Sequence, residues 1–147
     1  MEAHYATNGQ LAVFEMADIC GLEKVPLDKR NPLTLTTKGV GEMIGHLVDL
    51  GTKEIMIGVG GSSTNDGGIG MAAGLGYRFF DESGQEVAAV GDNLGNITTI
   101  SYEDYHWDLS QVELTIITDV TNPLCGPNGA TYVLVDKRTC KRKIRKC

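Results

Sequence analysis

The sequence lacks a membrane-spanning segment, a secretory leader and a paired-cysteine motif, and each absence narrows the class of protein. No apolar run in its 147 residues reaches the ~20 residues that cross a bilayer, which argues against a membrane protein. The first ten residues, MEAHYATNGQ, have no basic start and no apolar stretch, so no secretory signal is predicted. A reduced, cytoplasmic protein is favoured by four cysteines without Cys-x-x-Cys spacing: Cys20, Cys125, Cys140 and Cys147.

Basic residues are scarce over most of the chain. Residues 1–135 carry 6 basic and 18 acidic side chains, a net charge of −12, which argues against nucleic acid as the main partner. Residues 136–147, DKRTCKRKIRKC, carry 7 basic and 1 acidic side chain, a net charge of +6. Such a tail can bind nucleic acid or anionic lipid, but it has no apolar periodicity. We therefore predict a domain over residues 1–135 and a disordered tail over residues 136–147.

Strand-like and helix-like patterns alternate, which predicts an α/β domain whose largely parallel or mixed sheet is flanked by helices. Thr36 or Thr37 is placed to cap a helix that Gly51 ends. The apolar residues of this helix fall on one face: Val40, Met43, Ile44, Leu47 and Val48.

The remaining elements are predicted from short apolar runs and turn residues. Strands are predicted at residues 9–17, 53–60 and 112–118, with a helical turn after the first that stops at Gly21. A small-residue helix is predicted over residues 66–75, and a hairpin over residues 76–90 with its turn at 81–84.

The segment GVGGSSTNDGGIGMAAGLG, residues 58–76, joins a predicted strand to a predicted helix through a glycine-rich loop. No lysine follows its glycines, so it is not a P-loop. Residues 58–63 match part of the dinucleotide fingerprint, and Asp81 lies about 20 residues further on, where the ribose-binding acid would stand. Asp81 also begins the turn sequence DESG, so a dinucleotide-dependent oxidoreductase is the least favoured alternative.

A site for a small anion fits the same loop better. Glycines such as Gly60 and Gly61 let backbone N–H groups face a ligand, and the following helix adds its positive end. The loop also offers short polar side chains that suit a carboxylate or phosphate: Ser62, Ser63, Thr64 and Asn65. Asp66 would repel an anion, so it either caps the helix or works with a metal ion or a substrate hydroxyl.

A second acidic residue is predicted at the same edge of the sheet. Asp119 follows the apolar strand ELTIIT, and ligands gather at the carboxyl ends of parallel strands. Asp66 and Asp119 could therefore face one cleft and serve Mg²⁺-assisted phosphoryl transfer, one holding the metal and one taking a hydroxyl proton. The alternative is that Asp119 begins the turn DVTNP and binds only its own backbone.

Three blocks of this sequence resemble the type I glycerate kinases. They are NPLTLTTKGVGEMI, IGVGGSSTNDGGIGMAAGLGYRFFDESG and TDVTNPLCGPNGA, and FEMADICGL fits the strand that precedes them. The resemblance covers residues 9–133. It implies a two-domain α/β enzyme that phosphorylates glycerate with ATP and Mg²⁺, giving 2-phosphoglycerate or, as the alternative, the 3-phospho isomer. The small-molecule partners are then glycerate and ATP; no oligomeric state is predicted.

The resemblance also implies which positions form the site. The glycine loop of the family matches Gly60, Gly61, Ser62, Asn65, Asp66 and Gly67. The downstream block contributes Asp119, Asn122 and Pro123, and the upstream block contributes Thr37, Gly39 and Gly41. We expect Asp66 and Asp119 to be catalytic, with Asp119 as the Mg²⁺ ligand. The residues expected to bind substrate or nucleotide are Gly60, Gly61, Ser62, Ser63, Asn65, Gly67, Thr37, Gly39 and Asn122. A non-catalytic domain that binds small carboxylates or phosphates remains the alternative function.

The resemblance stops before the end of the chain. The family begins with a strand and an Asp-Ser-Phe-Lys-Gly loop that this sequence lacks, so we expect a middle piece that is inactive alone. After GPNGATYV the family continues with Phe-Gly-x-Gln-Lys, whereas this chain reads LVDKR. One inserted base in an allowed set of codons restores Val-Phe-Gly-Arg-Gln-Lys-Asp. The basic tail is therefore predicted to arise from a frameshift, with a genuine basic tail as the alternative.

Overall fold

A computed structural model describes residues 2–103, 106–123, 125–130 and 133. The predicted tail over residues 136–147, its boundary at 135 and the proposed frameshift lie outside the described residues. No helix in the described part of the chain has the length and apolar character needed to cross a membrane.

A four-stranded mixed sheet forms the centre of the fold. Its strands are β1 (Tyr5–Thr7), β2 (Leu11–Glu15), β3 (Glu54–Gly58) and β6 (Glu113–Ile117), in the order β1-β2-β3-β6. β1 runs antiparallel to β2, whereas β2, β3 and β6 are parallel. The predicted α/β class with a largely parallel or mixed sheet is confirmed, and so are the three predicted strands within a few residues at each end.

Helix α2 (Lys38–Asp49) covers one face of this sheet. Its buried residues Val40, Ile44 and Leu47 pack with alternate residues of the strands, among them Phe14 and Ile57. Alternation along β2 and β3 turns these side chains to the same face, which fixes the register of the core. The predicted apolar face of the helix is confirmed, with Met43 and Val48 half-buried at its margin.

Helix α2 begins and ends where predicted, but the predicted capping contact of Thr37 is not made. Thr37 is the N-cap residue, yet its hydroxyl makes no capping hydrogen bond to its own helix. The Thr36 hydroxyl accepts a hydrogen bond from Lys38 N at 3.2 Å instead. At the other end Gly51 has φ +84°, a conformation that glycine adopts without strain, and Gly51 N donates to Val48 O at 2.9 Å.

Two short helices flank the glycine-rich loop. α1 (Met16–Cys20) directly follows β2 and ends at Gly21, as predicted. α3 (Ile69–Gly74) begins three residues later than predicted, because Gly67 and Gly68 have φ +61° and +82° and cannot belong to a right-handed helix.

A two-stranded sheet, β4 (Arg78–Phe80) with β5 (Thr99–Ser101), adds a strand partner that the predicted hairpin did not include. The turn is present: the Asp81 carboxylate accepts hydrogen bonds from Ser83 N, Ser83 Oγ and Gln85 N. These hydrogen bonds lower the pKa of Asp81, and the bond from the Ser83 hydroxyl has the largest effect. The arm after the turn makes only an isolated bridge, Phe80 to Glu86, so β4 finds its strand partner about 20 residues later in the chain. Asp81 therefore forms a turn, which is the role that the sequence analysis preferred to ribose binding.

Candidate functional site

The carboxyl ends of three parallel strands lie side by side. Glu15 of β2 is paired with Gly58 of β3, and Gly58 with Ile117 of β6. Val59 N donates to Ile117 O at 3.1 Å, which continues the pairing beyond the strand ends. The glycine loop, residues 58–68, leaves the sheet at this edge, and Asp119 follows β6 by two residues. The glycine loop and the segment that carries Asp119 therefore lie at the same edge of the sheet, as predicted.

The backbone of the glycine loop is open to solvent at Gly60 and Gly61. Among the residues that the structure describes, none accepts a hydrogen bond from the N–H group of either glycine. Gly61 has φ +67°, and its carbonyl accepts from Leu22 N at 3.0 Å, so the segment after α1 holds the loop in place. Exposed, unsatisfied N–H groups on a glycine backbone are donors available to an anion.

The side chains of Ser62, Ser63 and Thr64 are buried, in contrast to the glycines before them. The hydroxyls of Ser62 and Thr64 are hydrogen-bonded to each other at 2.6 Å, and Ser63 Oγ donates to Cys20 O at 2.7 Å. These hydroxyls therefore fix the shape of the loop from inside. Their predicted role as ligand donors stays a prediction, and the hydrogen bonds described here lie within the protein.

Asp66 is a buried centre of hydrogen bonds, with 2% of its surface exposed. Its Oδ2 accepts from Thr37 N at 2.7 Å, from Thr37 Oγ1 at 2.8 Å and from Gly70 N at 3.3 Å. Its Oδ1 accepts from Gly68 N at 3.1 Å. These contacts are the ones expected if Asp66 caps the helix that follows it, α3. The same carboxylate also binds Thr37 at the start of α2. The catalytic role predicted for Asp66 stays a prediction.

The upstream residues of the predicted site serve this same connection between helices. Thr37 Oγ1 accepts from Met71 N at 2.7 Å, so it links Asp66 to the first turn of α3. Gly39 packs against Ile19, and a Cβ at Gly41 would overlap the carbonyl oxygen of Met71. Thr37, Gly39 and Gly41 are thus packed between α1, α2 and α3, and the structure does not bring them to the exposed face of Gly60 and Gly61.

Asp119 stands apart from this buried network. It is exposed, and no described residue donates a hydrogen bond to its carboxylate. The turn after β6 is instead supported by Thr118 Oγ1, which accepts from Val120 N at 3.3 Å, and by Asn122 Nδ2, which donates to Asn128 O at 3.0 Å. Within residues 106–123 and 125–130, the Asp119 carboxylate accepts no hydrogen bond from its own turn, whereas Asn122 has a turn-forming contact.

A cavity of about 280 Å³ adjoins the loop, with apolar residues such as Ile57 and Ile116 in its wall. The predicted site residues that line it are Thr37, Ser62, Asn65, Asp66 and Gly67. Asp119 does not line it. Asp66 lies in the loop that follows β3, and Asp119 lies after the neighbouring strand β6, so the structure does not place the two acidic residues in this one cavity. Within the described residues no three His, Cys, Asp or Glu side chains form a cluster that could hold a metal ion unaided.

Glu15 is a carboxylate at this edge that the sequence reasoning missed. The signal was available, because a glutamate directly follows the apolar run LAVF, as Asp119 follows its own strand. It was passed over since the strand was predicted to continue to residue 17, which would have placed Glu15 inside it.

Comparison with known proteins agrees with this arrangement. A model of the glycerate kinase family matches residues 1–138. The chain belongs to the glycerate kinase family. A glycerate kinase of Neisseria meningitidis serogroup B (strain MC58) is 52% identical over 128 residues, which cover 87% of this chain and 34% of that protein. The glycerate 2-kinase of Escherichia coli K12 is 41% identical over 126 residues, 86% of this chain and 33% of that protein.

A solved structure extends the likeness to the fold. The crystal structure of a protein designated glycerate kinase 2 from Salmonella typhimurium LT2 superposes with a TM-score of 0.87 at 40% identity, over 94% of this chain and 38% of that one. The chain therefore spans about a third of the length of the curated relatives it matches. The match to the family ends three residues beyond the predicted domain boundary at residue 135.

Proposed function

We propose that this chain supplies the anion-binding edge of a glycerate kinase, which transfers a phosphoryl group from ATP to glycerate and forms 2-phosphoglycerate. The observation that carries the proposal is the pair of exposed N–H groups at Gly60 and Gly61, at the carboxyl edge of a parallel sheet, in a member of this family. The name of the Escherichia coli relative, glycerate 2-kinase, supports the choice of hydroxyl group.

The chemistry of phosphoryl transfer fits what this edge offers. The protein has little covalent work to do in such a reaction, and it acts mainly by positioning anions and offsetting their charge. Gly60 and Gly61 would donate to a carboxylate or phosphate oxygen, and Asn65 and Gly67 lie in the same loop. Asn122 would orient the segment that carries Asp119, through its hydrogen bond to Asn128.

Asp119 is the residue we propose to act directly on the reacting groups. Its carboxylate is exposed and has no partner among the described residues, so it is available to a cation or to a hydroxyl proton. Mg²⁺ at such sites is commonly held by one or two carboxylates together with substrate phosphates and water. A lone aspartate beside an anion loop fits that requirement, and Mg²⁺ bound there would offset charge on the ATP phosphates.

For Asp66 we propose a positioning role in the reaction. Its four hydrogen bonds tie the loop to the starts of α2 and α3, and so they set the direction of the Gly60 and Gly61 donors. Ser62 and Ser63 would act in the same way through their internal contacts. A cytoplasmic location is proposed with the activity, because ATP is the phosphoryl donor.

A non-catalytic domain that binds small carboxylates or phosphates is the second candidate. It is favoured by one observation, that Asp66 and the loop hydroxyls already hydrogen-bond within the protein, which leaves the backbone N–H groups of Gly60 and Gly61 as the exposed donors of the loop. Binding needs only the loop, whereas turnover needs groups on both sides of the substrate.

The test uses two proteins: the full 147-residue chain, and a chimera in which residues 9–133 replace the matching segment of the Neisseria meningitidis relative. Glycerate-dependent ADP release is measured in both. We expect turnover by the chimera and negligible turnover by the chain alone. A folded chimera that binds glycerate without turnover would favour the binding domain, and one that neither binds nor phosphorylates glycerate would contradict the proposed function.

A further inference from the structure

Three acidic side chains close to the sheet have partners in the described part of the chain. Asp66 accepts four hydrogen bonds, Asp18 is paired with Lys24 at 2.9 Å, and Asp49 accepts from Trp107 at 2.9 Å. Glu15 differs from these, because no described residue donates a hydrogen bond or forms an ion pair with its carboxylate. It is exposed and stands at the last position of β2, at the edge where the glycine loop begins.

The Glu15 carboxyl group lies across the end of the neighbouring strand. A Cβ at Gly58 would overlap its Cδ and both of its oxygens. Glycine at position 58 therefore leaves the space that the carboxylate occupies. Glu15 is held over the backbone just two residues before Gly60, on the side of the sheet edge from which the loop emerges.

An unpaired carboxylate beside an anion loop calls for a physical reason, because like charges repel. A substrate that carries hydroxyl groups next to its anionic group supplies one, since a carboxylate accepts a strong, charge-assisted hydrogen bond from a hydroxyl. Glycerate has two hydroxyls beside its carboxylate. A simple carboxylic acid without hydroxyls would meet only the repulsion.

We infer that Glu15 accepts a hydrogen bond from a hydroxyl group of glycerate and makes the site select hydroxy acids over simple acids. The inference rests on the proposed function and assigns the selectivity of that same site. Glu15 discriminates by two effects together: it attracts the hydroxylated substrate and it repels an anion that has no hydroxyl to offer.

The test compares glycerate with propanoate, which has the same carboxylate and neither hydroxyl. Binding is measured with the chimera and the full chain described above, before and after Glu15→Gln. We expect Glu15→Gln to weaken glycerate binding about 10-fold or more, the scale of a lost hydrogen bond to a charged group, and to leave propanoate binding unchanged or stronger. Glu54→Gln, at the opposite end of the same sheet, should change neither.

Gly58→Ala gives a second variant that leaves Glu15 itself intact. The three atoms nearest to the added methyl group all belong to the flexible end of the Glu15 side chain, so the protein should fold with the carboxylate displaced. We expect it to lose the same preference for glycerate. A folded Glu15→Gln variant that keeps the full preference would overturn the inference while the kinase activity of the unmodified chimera still stands. Failure of both unmodified proteins to bind or phosphorylate glycerate would remove the proposed function and this inference with it.

Discussion

Asp66 and Thr37 are joined by two hydrogen bonds through one carboxylate oxygen, 2.7 Å from Thr37 N and 2.8 Å from Thr37 Oγ1. The same threonine hydroxyl accepts from Met71 N, so a buried chain of contacts links the start of α2 to the start of α3. The backbone N–H groups at a helix start have no partner within the helix, and a carboxylate satisfies several of them while its charge suits the helix dipole. One aspartate thus serves two helix starts.

The first prediction is that Asp66→Asn lowers stability. The amide offers one oxygen where the carboxylate offers two, so at least one buried N–H loses its acceptor. Each such loss costs about 1–3 kcal/mol. We expect a fall in Tm of about 2–4 °C for each kcal/mol lost in a chain of this size, measured by thermal unfolding. Thr37→Val should have a similar effect, and Thr37→Ser a much smaller one, because serine keeps the hydroxyl.

The control for this prediction is Asp28→Asn, which changes an exposed carboxylate without a hydrogen bond to any described residue. Its Tm should be unchanged. Turnover of the chimera separates the two roles of Asp66. A loss of at least ~10²-fold that persists well below the Tm of the variant agrees with the catalytic prediction, and near-normal turnover with lowered Tm leaves Asp66 as a cap.

The elements that sequence alone predicted well are those with a clear apolar period. β2, β3, β6 and α2 were found because each buries one face or one stripe of side chains. Positive φ at Gly67 and Gly68 shortened α3, and these angles follow from the tertiary position of the loop. The hairpin turn and one bridge of its arms were predicted, but the pairing of β4 with β5 was missed, because strand pairing across about 20 residues leaves no local signal.

The site was predicted less completely than the fold. Sequence located the glycine loop and Asp119 at the sheet edge, since both follow apolar strands. It could not tell that Ser62 and Ser63 point inward, because a hydroxyl that binds a ligand and one that binds a neighbouring carbonyl look the same in a sequence. Glu15 depended on where β2 ends, and element ends are read least well from sequence.

The second prediction concerns the close packing of α2 on α3. A Cβ at Gly41 would overlap the carbonyl oxygen of Met71, and it would lie 3.0 Å from Gly74 Cα. These are backbone atoms that cannot rotate away. Gly41→Ala should therefore destabilise the chain by about 1–3 kcal/mol, as overpacking does, despite the better helix propensity of alanine. Gly95→Ala, where no atom lies within 4 Å, is the control and should not lower the Tm.

The third prediction tests the anion loop with two neighbouring glycines. Nothing lies within 4 Å of a Cβ at Gly60, so Gly60→Ala should keep its Tm and raise the KM of the chimera for the anionic substrate that the loop holds. Gly61 has φ +67°, so Gly61→Ala should also cost about 1–2 kcal/mol of stability. Gly9→Ala, with φ +93° and far from the loop in sequence, is the control for strain alone. Unchanged KM values for glycerate and for ATP in both folded loop variants would rule out the anion loop.

The fourth prediction is that Asp119 acts on chemistry and contributes little to folding. Its carboxylate is exposed and has no described partner, so Asp119→Asn should leave the Tm unchanged. The kcat of the chimera should fall at least ~10²-fold, the scale of losing an acid–base or metal-positioning group. Glu113→Gln, at the opposite end of the same strand, is the matched control and should keep normal turnover. Equal turnover in the two variants would show that Asp119 has no part in the reaction.

The last prediction is a pH dependence of stability that arises at Asp18. Its carboxylate is hydrogen-bonded to the Lys24 ammonium and to His4 N, and these contacts hold the pKa of Asp18 well below its usual value of 3.8. A carboxyl group whose pKa is lowered by folding stabilises the protein above its unfolded pKa, and the effect is lost as the pH falls toward the folded value. Asp18→Asn should therefore lower the Tm at pH ~7, and the difference from the unmodified chain should shrink as the pH drops below about 4. Asp92→Asn, an exposed residue whose carboxylate has no described partner, should match the unmodified chain throughout. A difference between Asp18→Asn and the unmodified chain that grows on acidification would contradict the assignment, because the lowered pKa requires the opposite sign.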